Sequence, residues 1–403
     1  MMQSNWRTPL VVLLCGGLIL TLSLGTRHTF GLYLQPMTLD LGWSRQTFAI
    51  AVAIQNLIYG FATPLAGMIA DKWGTARVLV GGTLLYALGM MLMAYSTSGT
   101  EFTLSAGVLV GLGLSCSGFS QVFGVVARAF PPEKRTLALG IAGSAGSFGQ
   151  FLMLPYGQTL ITHMGWHNAL LICAATVMLI LPLSTALVED TRTLARAGSK
   201  QSIPEALREA FGHSGYLLLC SGYFVCGFQI MFVSVHFPAY LIDQRMTPET
   251  GMMALALIGL FNIFGTFLWG WLGHRYTKKY VLSTLYFTRA VAVTVFIASP
   301  LTPASVYLFA ATIGFLWLGT VPVTSGLIAD VFGVKYLSTL TGIAFLFHQV
   351  GSFLGVWLGG YLFDATGSYQ VVWILTIGLG VLAALINLPI NDRQIVRPAA
   401  TPA

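Results

Sequence analysis

Apolar residues in this chain form long continuous runs, and most charged residues fall in the gaps between them. A helix that crosses the apolar core of a bilayer needs about 20 mostly apolar residues, because each residue adds about 1.5 Å. Twelve runs reach that length. The predicted spans 1 to 12 are residues 9–36, 47–70, 78–97, 103–129, 136–160, 168–188, 215–241, 250–272, 280–299, 304–328, 338–362 and 370–390. The pattern therefore predicts an all-α membrane protein with twelve transmembrane helices.

Composition supports a membrane protein and excludes an ordinary soluble domain. Of the 403 residues, 56% are apolar and 8% are charged, whereas soluble domains carry about 25% charged residues. Span 1 is longer than the core of a signal peptide and no small-residue cleavage site follows it, so we expect it to stay in the mature protein. The 5 cysteines fall inside predicted spans, where they commonly act as small packing residues.

The positive residues predict how the chain is oriented. Most of the 20 Lys and Arg fall in alternate loops, on the side that also carries the N-terminus, and positive loops stay in the cytoplasm. We therefore expect a multi-pass protein of the cell (inner) membrane with both termini cytoplasmic. The net charge of +7 then reflects topology, and we expect no nucleic-acid partner.

The chain also repeats itself. A shift of about 202 residues, the offset between Pro36 and Pro238, brings several local patterns into register, as expected for a duplicated half. We predict an N-terminal six-helix half at 1–188, a cytoplasmic linker with a short amphipathic helix at 189–214, and a C-terminal six-helix half with a short tail at 215–403. The halves are expected to be related by pseudo-two-fold symmetry.

One substitution within the repeat exchanges charge. The first half has Asp71 and Arg128 where the second has His274 and Asp330. We infer a charge pair across helix ends in each half, with reversed polarity, that latches the cytoplasmic mouth. The alternative is a set of independent surface charges, which contribute about 0–1 kcal/mol each when exposed.

The loops after spans 2 and 8 carry a resemblance to a known family. Gly67–Arg77, with its Gly, Asp, Lys and Arg spacing, resembles the loop 2–3 signature of the major facilitator superfamily, and Gly270–Lys279 repeats it in degraded form. The resemblance implies the major facilitator fold and alternating access around a central cavity. We expect a structural or gating role for Arg77 and Arg275 in these loops.

Two further segments narrow the resemblance. Arg27–Pro36 and Phe347–Gly360 resemble the monocarboxylate-porter branch and the related oxalate:formate antiporters. Those families place an Arg in span 8, and the monocarboxylate porters add an Asp one turn earlier; here the positions are Thr266 and Asn262. The antiporters carry a Lys in span 11, where this chain has His348. The family's usual anion ligand is therefore missing.

Charged groups inside the spans are the strongest functional signal. None of the 13 Asp and Glu residues lies deep in a predicted span, and an unpaired charge at that depth costs at least about 2.5 kcal/mol. The ionisable groups that remain there are functional candidates: Arg27, His28, His236, Arg289 and His348. A positive interior with no carboxylate to neutralise it favours an anionic substrate.

Each of these candidates has a structural alternative. We predict that Arg27 and His348 bind the anion and that His348 carries the coupling proton, since imidazole titrates near neutral pH. The alternatives are an Arg27 held by backbone carbonyls and a buried neutral His348. His28 is also a candidate ligand, although neighbouring helical residues point about 100° apart and only one of the two need face the cavity. For Arg289 we favour a structural role, and for His236 a gating role.

Uncharged residues complete the predicted substrate site. Gln121, Gln229, Asn262 and Thr320 are placed to donate to a carboxylate, and Tyr33 to form an aromatic wall. The alternative is hydrogen bonding between helices, worth about 0.6 kcal/mol on average.

Nothing in the sequence indicates nucleotide binding, metal binding or catalysis. We find no phosphate-binding loop, no metal-ligand spacing and no loop large enough for a catalytic domain, so we expect neither an enzyme nor a cofactor. We predict a monomeric secondary active transporter for a small, monocarboxylate-like organic anion, with a proton or a counter-anion as coupling ion. The alternatives are an exporter of amphipathic drugs or metabolites and a non-transporting membrane sensor.

Overall fold

The computed structural model describes residues 6–43, 45–189 and 201–395. This part of the chain is almost entirely helical and contains no strand. Residues 190–200 of the predicted linker and residues 396–403 of the predicted tail lie outside the described residues.

The first six spans begin at Pro9. Span 1 is Pro9–His28 continued by Phe30–Leu41, span 2 is Arg45–Trp73, and span 3 is Thr75–Ala94. Span 4 consists of Gly99–Phe102, the π-helical Thr103–Leu109, Val110–Ser117 and Phe119–Ala129. Spans 5 and 6 lie in Pro132–Met178, followed by Ile180–Ser184 and a 3₁₀ turn at Thr185–Leu187.

The last six spans follow the linker helix Ile203–Gly212. Span 7 is Ser214–Asp243, span 8 is Pro248–Arg275, and span 9 is Lys278–Ala298. Span 10 is Pro303–Phe315 and Thr320–Phe332, span 11 is Leu337–Thr366, and span 12 is Gln370–Asn387.

The number of spans depends on Gly165. The described residues contain 11 helical stretches long and apolar enough to cross a membrane, one of them 56 residues long. A straight helix of that length would measure about 84 Å, against about 30 Å for the apolar core of a bilayer. Gly165 breaks the stretch with φ 76° and ψ 162°, a backbone conformation that favours glycine. The stretch is therefore two spans, and the predicted twelve-helix all-α architecture is confirmed.

Span 1 is longer than the predicted residues 9–36. Span 1 continues through Pro36 and ends before Gly42, whose φ is 65°. Neighbouring helices and side chains can satisfy the backbone groups that a proline frees in a membrane helix.

The breaks in spans 4 and 10 follow the internal repeat. Span 4 is interrupted at Gly118 and span 10 between Phe315 and Thr320. The repeat offset of about 202 residues carries Gly118 onto Thr320, the residue directly after the break in span 10, so both halves break the same helix at nearly the same position. In transporters built from repeats, interrupted helices commonly lie at the binding site.

The two halves meet mainly along two helix pairs, span 2 with span 11 and span 5 with span 8. At the end of the bundle that carries the linker helix, here called the linker end, small residues let the backbones touch. A Cβ added to Gly140 would lie 2.8 Å from the Cα of Gly270, and one added to Gly67 would lie 2.5 Å from the Ser338 carbonyl. Among the described residues, hydrogen bonds and ring contacts between the halves run only from the linker end to mid-depth.

Candidate functional site

Arg27 lies past the middle of span 1 and is half-buried. Its Nη2 donates to the side-chain oxygen of Asn56 in span 2, and its guanidinium carbon lies 5.1 Å from the centre of the Tyr59 ring. No ion pair formed by the described residues includes Arg27. The positive charge of Arg27 therefore interacts with the Asn56 amide and the Tyr59 ring, but no carboxylate of the described residues neutralises it.

His348 lies near mid-depth in span 11 with 7% of its surface exposed. Its Nδ1 is 3.3 Å from Gln349 Oε1 and 3.4 Å from Ser352 Oγ, while its Nε2 has no hydrogen-bond partner among the described residues. Its ring packs against Tyr223 at 4.8 Å and stacks on Phe345 at 5.6 Å between centroids.

Arg27 and His348 are connected across the interface between the halves. Gln349 Nε2 donates to the backbone carbonyl of Asn56 at 3.3 Å, so one residue, Asn56, contacts both the Arg27 and the Gln349 side chains. A second route is aromatic, because the Tyr59 ring beneath Arg27 lies 4.9 Å from the Phe345 ring beneath His348. The structure therefore brings together the two residues that we predicted to bind the anion.

This connection also fixes where His348 carries a proton. The Asn56 carbonyl only accepts hydrogen bonds, so the NH₂ group of Gln349 faces it and the Gln349 oxygen faces His348. An amide oxygen accepts as well, so Nδ1 is the protonated ring nitrogen. In neutral His348 the free lone pair is therefore on the buried and unpartnered Nε2.

Arg289 is 2% exposed, and its hydrogen bonds with described residues all go to groups of its own half. Nη1 lies 3.1 Å from Gln229 Oε1 and 3.5 Å from Cys226 Sγ. Nη2 donates to the carbonyls of Leu316 at 2.5 Å and Trp317 at 3.0 Å, where span 10 is interrupted. The guanidinium thus satisfies carbonyls left open at a helix C-terminus, a favourable position for a cation.

Gln229 and Thr320 belong to the same buried group of side chains. Gln229 also donates from Nε2 to the carbonyl of Thr376 in span 12 at 2.9 Å, and Thr320 Oγ1 lies 3.1 Å from Cys226 Sγ. Both ends of the Gln229 amide therefore have partners within the protein, which leaves a role in substrate binding as a prediction.

Asn262 ties spans 5, 8 and 10 together. Its Nδ2 donates to Ser147 Oγ at 3.0 Å across the halves, and its Oδ1 accepts from Thr266 Oγ1 at 3.0 Å and from the backbone N–H of Leu318 at 3.1 Å. It thus stabilises the second side of the break in span 10.

The other predicted ligands lie apart from Arg27 and His348. The Tyr33 hydroxyl is 3.5 Å from Cys173 Sγ, inside the N-terminal half. Gln121 Nε2 donates to the carbonyl of Thr63 at 3.5 Å, while its Oε1 is buried without a partner among the described residues. The side chain of His28 is exposed.

His236 lies within the C-terminal half, away from the linker end. Its Nε2 is 2.9 Å from the carbonyl of Val356 and its Nδ1 is 3.2 Å from the hydroxyl of Tyr369. These contacts connect span 7 with span 11 and with the start of span 12, and a gating role stays a prediction.

At the linker end, Asp71 and Arg128 form the core of a buried contact between the halves, which we call the linker-end latch. Asp71 Oδ1 is 3.1 Å from Arg128 Nη1. Asp71 Oδ2 accepts from the N–H and the hydroxyl of Thr339, at 2.7 and 2.8 Å. Arg128 also pairs with Glu189 at 2.5 Å and donates to the Val334 carbonyl at 3.2 Å.

In the C-terminal half, the predicted charge pair of His274 with Asp330 is not formed. Asp330 Oδ2 lies 2.6 Å from Lys278 Nζ, so it pairs with Lys278 and not with His274, because the long lysine side chain at the start of span 9 reaches it. Arg77 and Arg275 are exposed at this end and form no ion pair with the described residues. Gating roles for these residues and for His274 stay predictions.

Asn56, Gln349 and Cys226 were missed by the sequence analysis. An amide inside an apolar span is a signal for Asn56 and Gln349, because a lone amide there needs a partner. Cys226 gives no such signal, since cysteine in a membrane helix resembles any small apolar residue.

A comparison with known families decides the identity. The family model of the Major Facilitator Superfamily matches residues 13–321 and 219–403. The chain belongs to the Major Facilitator Superfamily. It is a multi-pass membrane transporter of that superfamily, whose family and fold are those of transporters and not of enzymes.

Relatives and solved structures agree with this family. The uncharacterised MFS-type transporter YcxA of Bacillus subtilis (strain 168) is 26% identical over 385 residues, which cover 91% of this chain and 92% of YcxA. Monocarboxylate transporter 13 of Rattus norvegicus is 29% identical over 358 residues, covering 84% and 78%. The fold is similar to that of the proton:xylose symporter XylE, with a TM-score of 0.75 at 16% identity and 95% of each chain covered.

Proposed function

We propose that this MFS transporter is a proton-coupled carrier of a small organic anion of the monocarboxylate type, working by alternating access. The observation that carries the proposal is the connection between Arg27 and His348 through Asn56 and Gln349. This connection places a fixed positive charge, Arg27, and a titratable group, His348, on opposite sides of the interface between the halves.

The charge balance of this region supports an anionic substrate. Arg27 has no carboxylate partner among the described residues, and the ion pairs present there all lie at the linker end. A carboxylate placed beside Arg27 would form a charge-assisted hydrogen bond, about twice as strong as a neutral one. A cation would meet the same uncompensated charge and be repelled.

His348 supplies the proton-binding group of the proposal. Its free Nε2 lone pair is buried and has no partner among the described residues, so protonation there creates an imidazolium beside the interface. An added proton offsets the negative charge of the substrate, and the pair moves with less net charge than the anion alone.

The side that opens follows from the contacts between the halves. In the described residues these contacts lie between the linker end and mid-depth. We propose that the linker end is cytoplasmic, as the positive loops predict, and that the inner membrane carries the protein in this orientation. Substrate then reaches Arg27 and His348 from the opposite side.

Export of amphipathic compounds is the second candidate. The span 8 positions expected to hold an Arg and an Asp are Thr266 and Asn262, which hydrogen-bond to each other. Without the span 8 arginine, His348 is the cationic candidate for a carboxylate among the described residues on the C-terminal side of the interface. An exporter that accepts uncharged or cationic compounds needs no second positive ligand.

Uptake into proteoliposomes separates the two candidates. We propose measuring radiolabelled short monocarboxylates, a dicarboxylate and a lipophilic cation, each with and without an imposed pH gradient, acid on the side opposite the linker end. The expected result is monocarboxylate accumulation that needs the gradient and is lost in Arg27→Gln. Arg393→Gln, a charge-matched change in the exposed tail, should transport normally.

A conservative substitution of Arg27 tests whether its guanidinium binds the carboxylate. Arg27→Lys keeps the charge but loses the planar fork that binds a carboxylate, so it should retain partial uptake with a raised KM. Gradient-driven movement of the lipophilic cation, with no flux of any carboxylate, would overturn the anion proposal in favour of export.

A further inference from the structure

Cys226 in span 7 is a fully buried thiol surrounded by polar groups. Its Sγ lies 3.5 Å from Arg289 Nη1 and 3.1 Å from Thr320 Oγ1. The His348 imidazole on span 11 packs against the ring of Tyr223, which lies one helical turn before Cys226 in span 7. Spans 9 and 10 thus direct a guanidinium and a hydroxyl at one sulfur atom, and span 11 places an imidazole in the same buried region.

The other titratable groups near this thiol are the phenols Tyr223 in span 7 and Tyr286 in span 9. No hydrogen bond or ion pair between described side chains brings a carboxylate to Cys226 or Arg289. The carboxyl residues of the C-terminal half lie within about a turn of a helix end or in a loop; they are Asp243, Glu249, Asp330, Asp364 and Asp392. Among the described residues Arg289 therefore has no carboxylate partner.

A buried guanidinium favours an anion at hydrogen-bonding distance, and the group that can supply one here is the thiol. Thiolates form where a cation and hydrogen-bond donors surround the sulfur. Arg289 supplies the charge and Thr320 a hydroxyl. The buried Nε2 of His348, with no partner among the described residues, supplies a place for the proton.

We propose that Cys226 and His348 form a proton-exchanging pair, in which the Cys226 thiolate balances Arg289 until a proton enters with the substrate. The inference deepens the proposed function and rests on it for its role in transport. A proton from the open side adds to the Nε2 lone pair and forms an N–H bond. Passage to Cys226 breaks that N–H bond and forms an S–H bond, and no electron is transferred.

This proton exchange determines the order in which the proton and the anion bind. With the thiolate present, the charge of Arg289 is cancelled within the C-terminal half. Once the thiolate or imidazole takes up a proton, this half gains one positive charge, and the attraction for an anion beside His348 rises. Proton binding therefore precedes anion binding, and acidification of the open side stimulates uptake.

Infrared spectroscopy tests the charge state without any substrate, because the S–H stretch falls in a window free of other protein bands. The probe is the difference spectrum of wild type minus Cys226→Ser in purified full-length protein. At neutral pH this difference should show no S–H band, and a band should appear on acidification. The matched control is Cys220→Ser, a buried thiol of the same helix that contacts Tyr216; its difference spectrum should show an S–H band at both pH values.

An S–H band of equal size for both cysteines at neutral pH would overturn the thiolate, whatever the transport results. The second arm is uptake by Cys226→Ser, since a serine hydroxyl does not ionise. Stimulation of uptake by acid should be lost in this variant and kept in Cys220→Ser. If the spectrum shows a thiolate but acid still stimulates uptake by Cys226→Ser, the role of Cys226 in proton coupling is overturned. Absence of carboxylate uptake by wild type would instead be a failure of the proposed function.

Discussion

The carboxylate of Asp71, at the end of span 2, accepts hydrogen bonds from the backbone N–H and the hydroxyl of Thr339, at the start of span 11. The first turn of a helix has N–H groups without partners and a partial positive charge. Asp71 therefore stabilises the N-terminus of a helix that belongs to the other half. Because the two residues belong to different halves, we expect the contact to break when the linker end opens.

Neutralising Asp71 should open the linker end. Asp71→Asn keeps an oxygen for Thr339 but removes the charge that both Arg128 and the helix terminus require. We expect the population open at the linker end to rise about tenfold, equivalent to about 1.4 kcal/mol. Spin labels on Lys134→Cys and Tyr276→Cys, exposed positions of opposite halves at this end, would report it as a longer distance in electron paramagnetic resonance.

The charge-swapped double variant, Asp71→Arg with Arg128→Asp, should not restore the closed distance. The swap places an arginine against the span 11 N-terminus and an aspartate against Glu189, which now pairs with Arg128. Recovery of the wild-type distance would show that the pair acts alone and that the Thr339 contact contributes nothing.

The contact between Asn262 and Ser147 should separate gating from stability. Ser147→Ala removes the hydrogen bond that Asn262 makes across the halves and should cost about 0.6 kcal/mol, with a lengthened label distance and a nearly unchanged Tm in detergent. Asn262→Ala also leaves the Leu318 N–H without its partner, which costs about 1–3 kcal/mol, so its Tm should fall clearly. Equal Tm values for the two variants would contradict this division of roles.

Gly140 should be needed for closure at the linker end. A methyl group there would lie 2.8 Å from the Cα of Gly270, and backbone cannot yield as a side chain can. Gly140→Ala should hold the label pair at the longer distance and slow uptake. Gly378→Ala in span 12, where a Cβ meets nothing within 4 Å, is the control and should be neutral or slightly stabilising because alanine favours helix. A closed distance in Gly140→Ala would mean that the halves do not need this backbone contact.

Much of the fold was predictable because the bilayer imposes one simple rule on the chain. Every backbone polar group in the apolar core must be satisfied within the protein, and a helix satisfies nearly all of its own, so apolar runs of sufficient length become helices and their number follows from the sequence. Helix breaks were not predictable. The interruption of span 10 is stabilised by Arg289 and Asn262 from spans 9 and 8, residues distant from it in the chain.

The sequence predicted which residues belong to the candidate site but not how they are arranged in space. Arg27 and His348 stand out because charged and titratable groups are costly at bilayer depth. Their connection depends on Asn56 and Gln349, which meet only when spans 2 and 11 pack together. The same holds for Asp330, whose partner is Lys278 and not His274, since helix-end geometry decided which cation reached it.

The sequence by itself determined the membrane class, the number of spans and the scarcity of negative charge inside them, because each follows from transfer of residues between water and an apolar phase. The tertiary structure alone decided which polar groups are saturated and which are left open. Arg289 is surrounded by carbonyls of its own half, whereas Arg27 faces an amide and a ring at the interface. The physical reason is that hydrogen bonds depend on distances of a few ångströms, and those distances are fixed by how the helices pack.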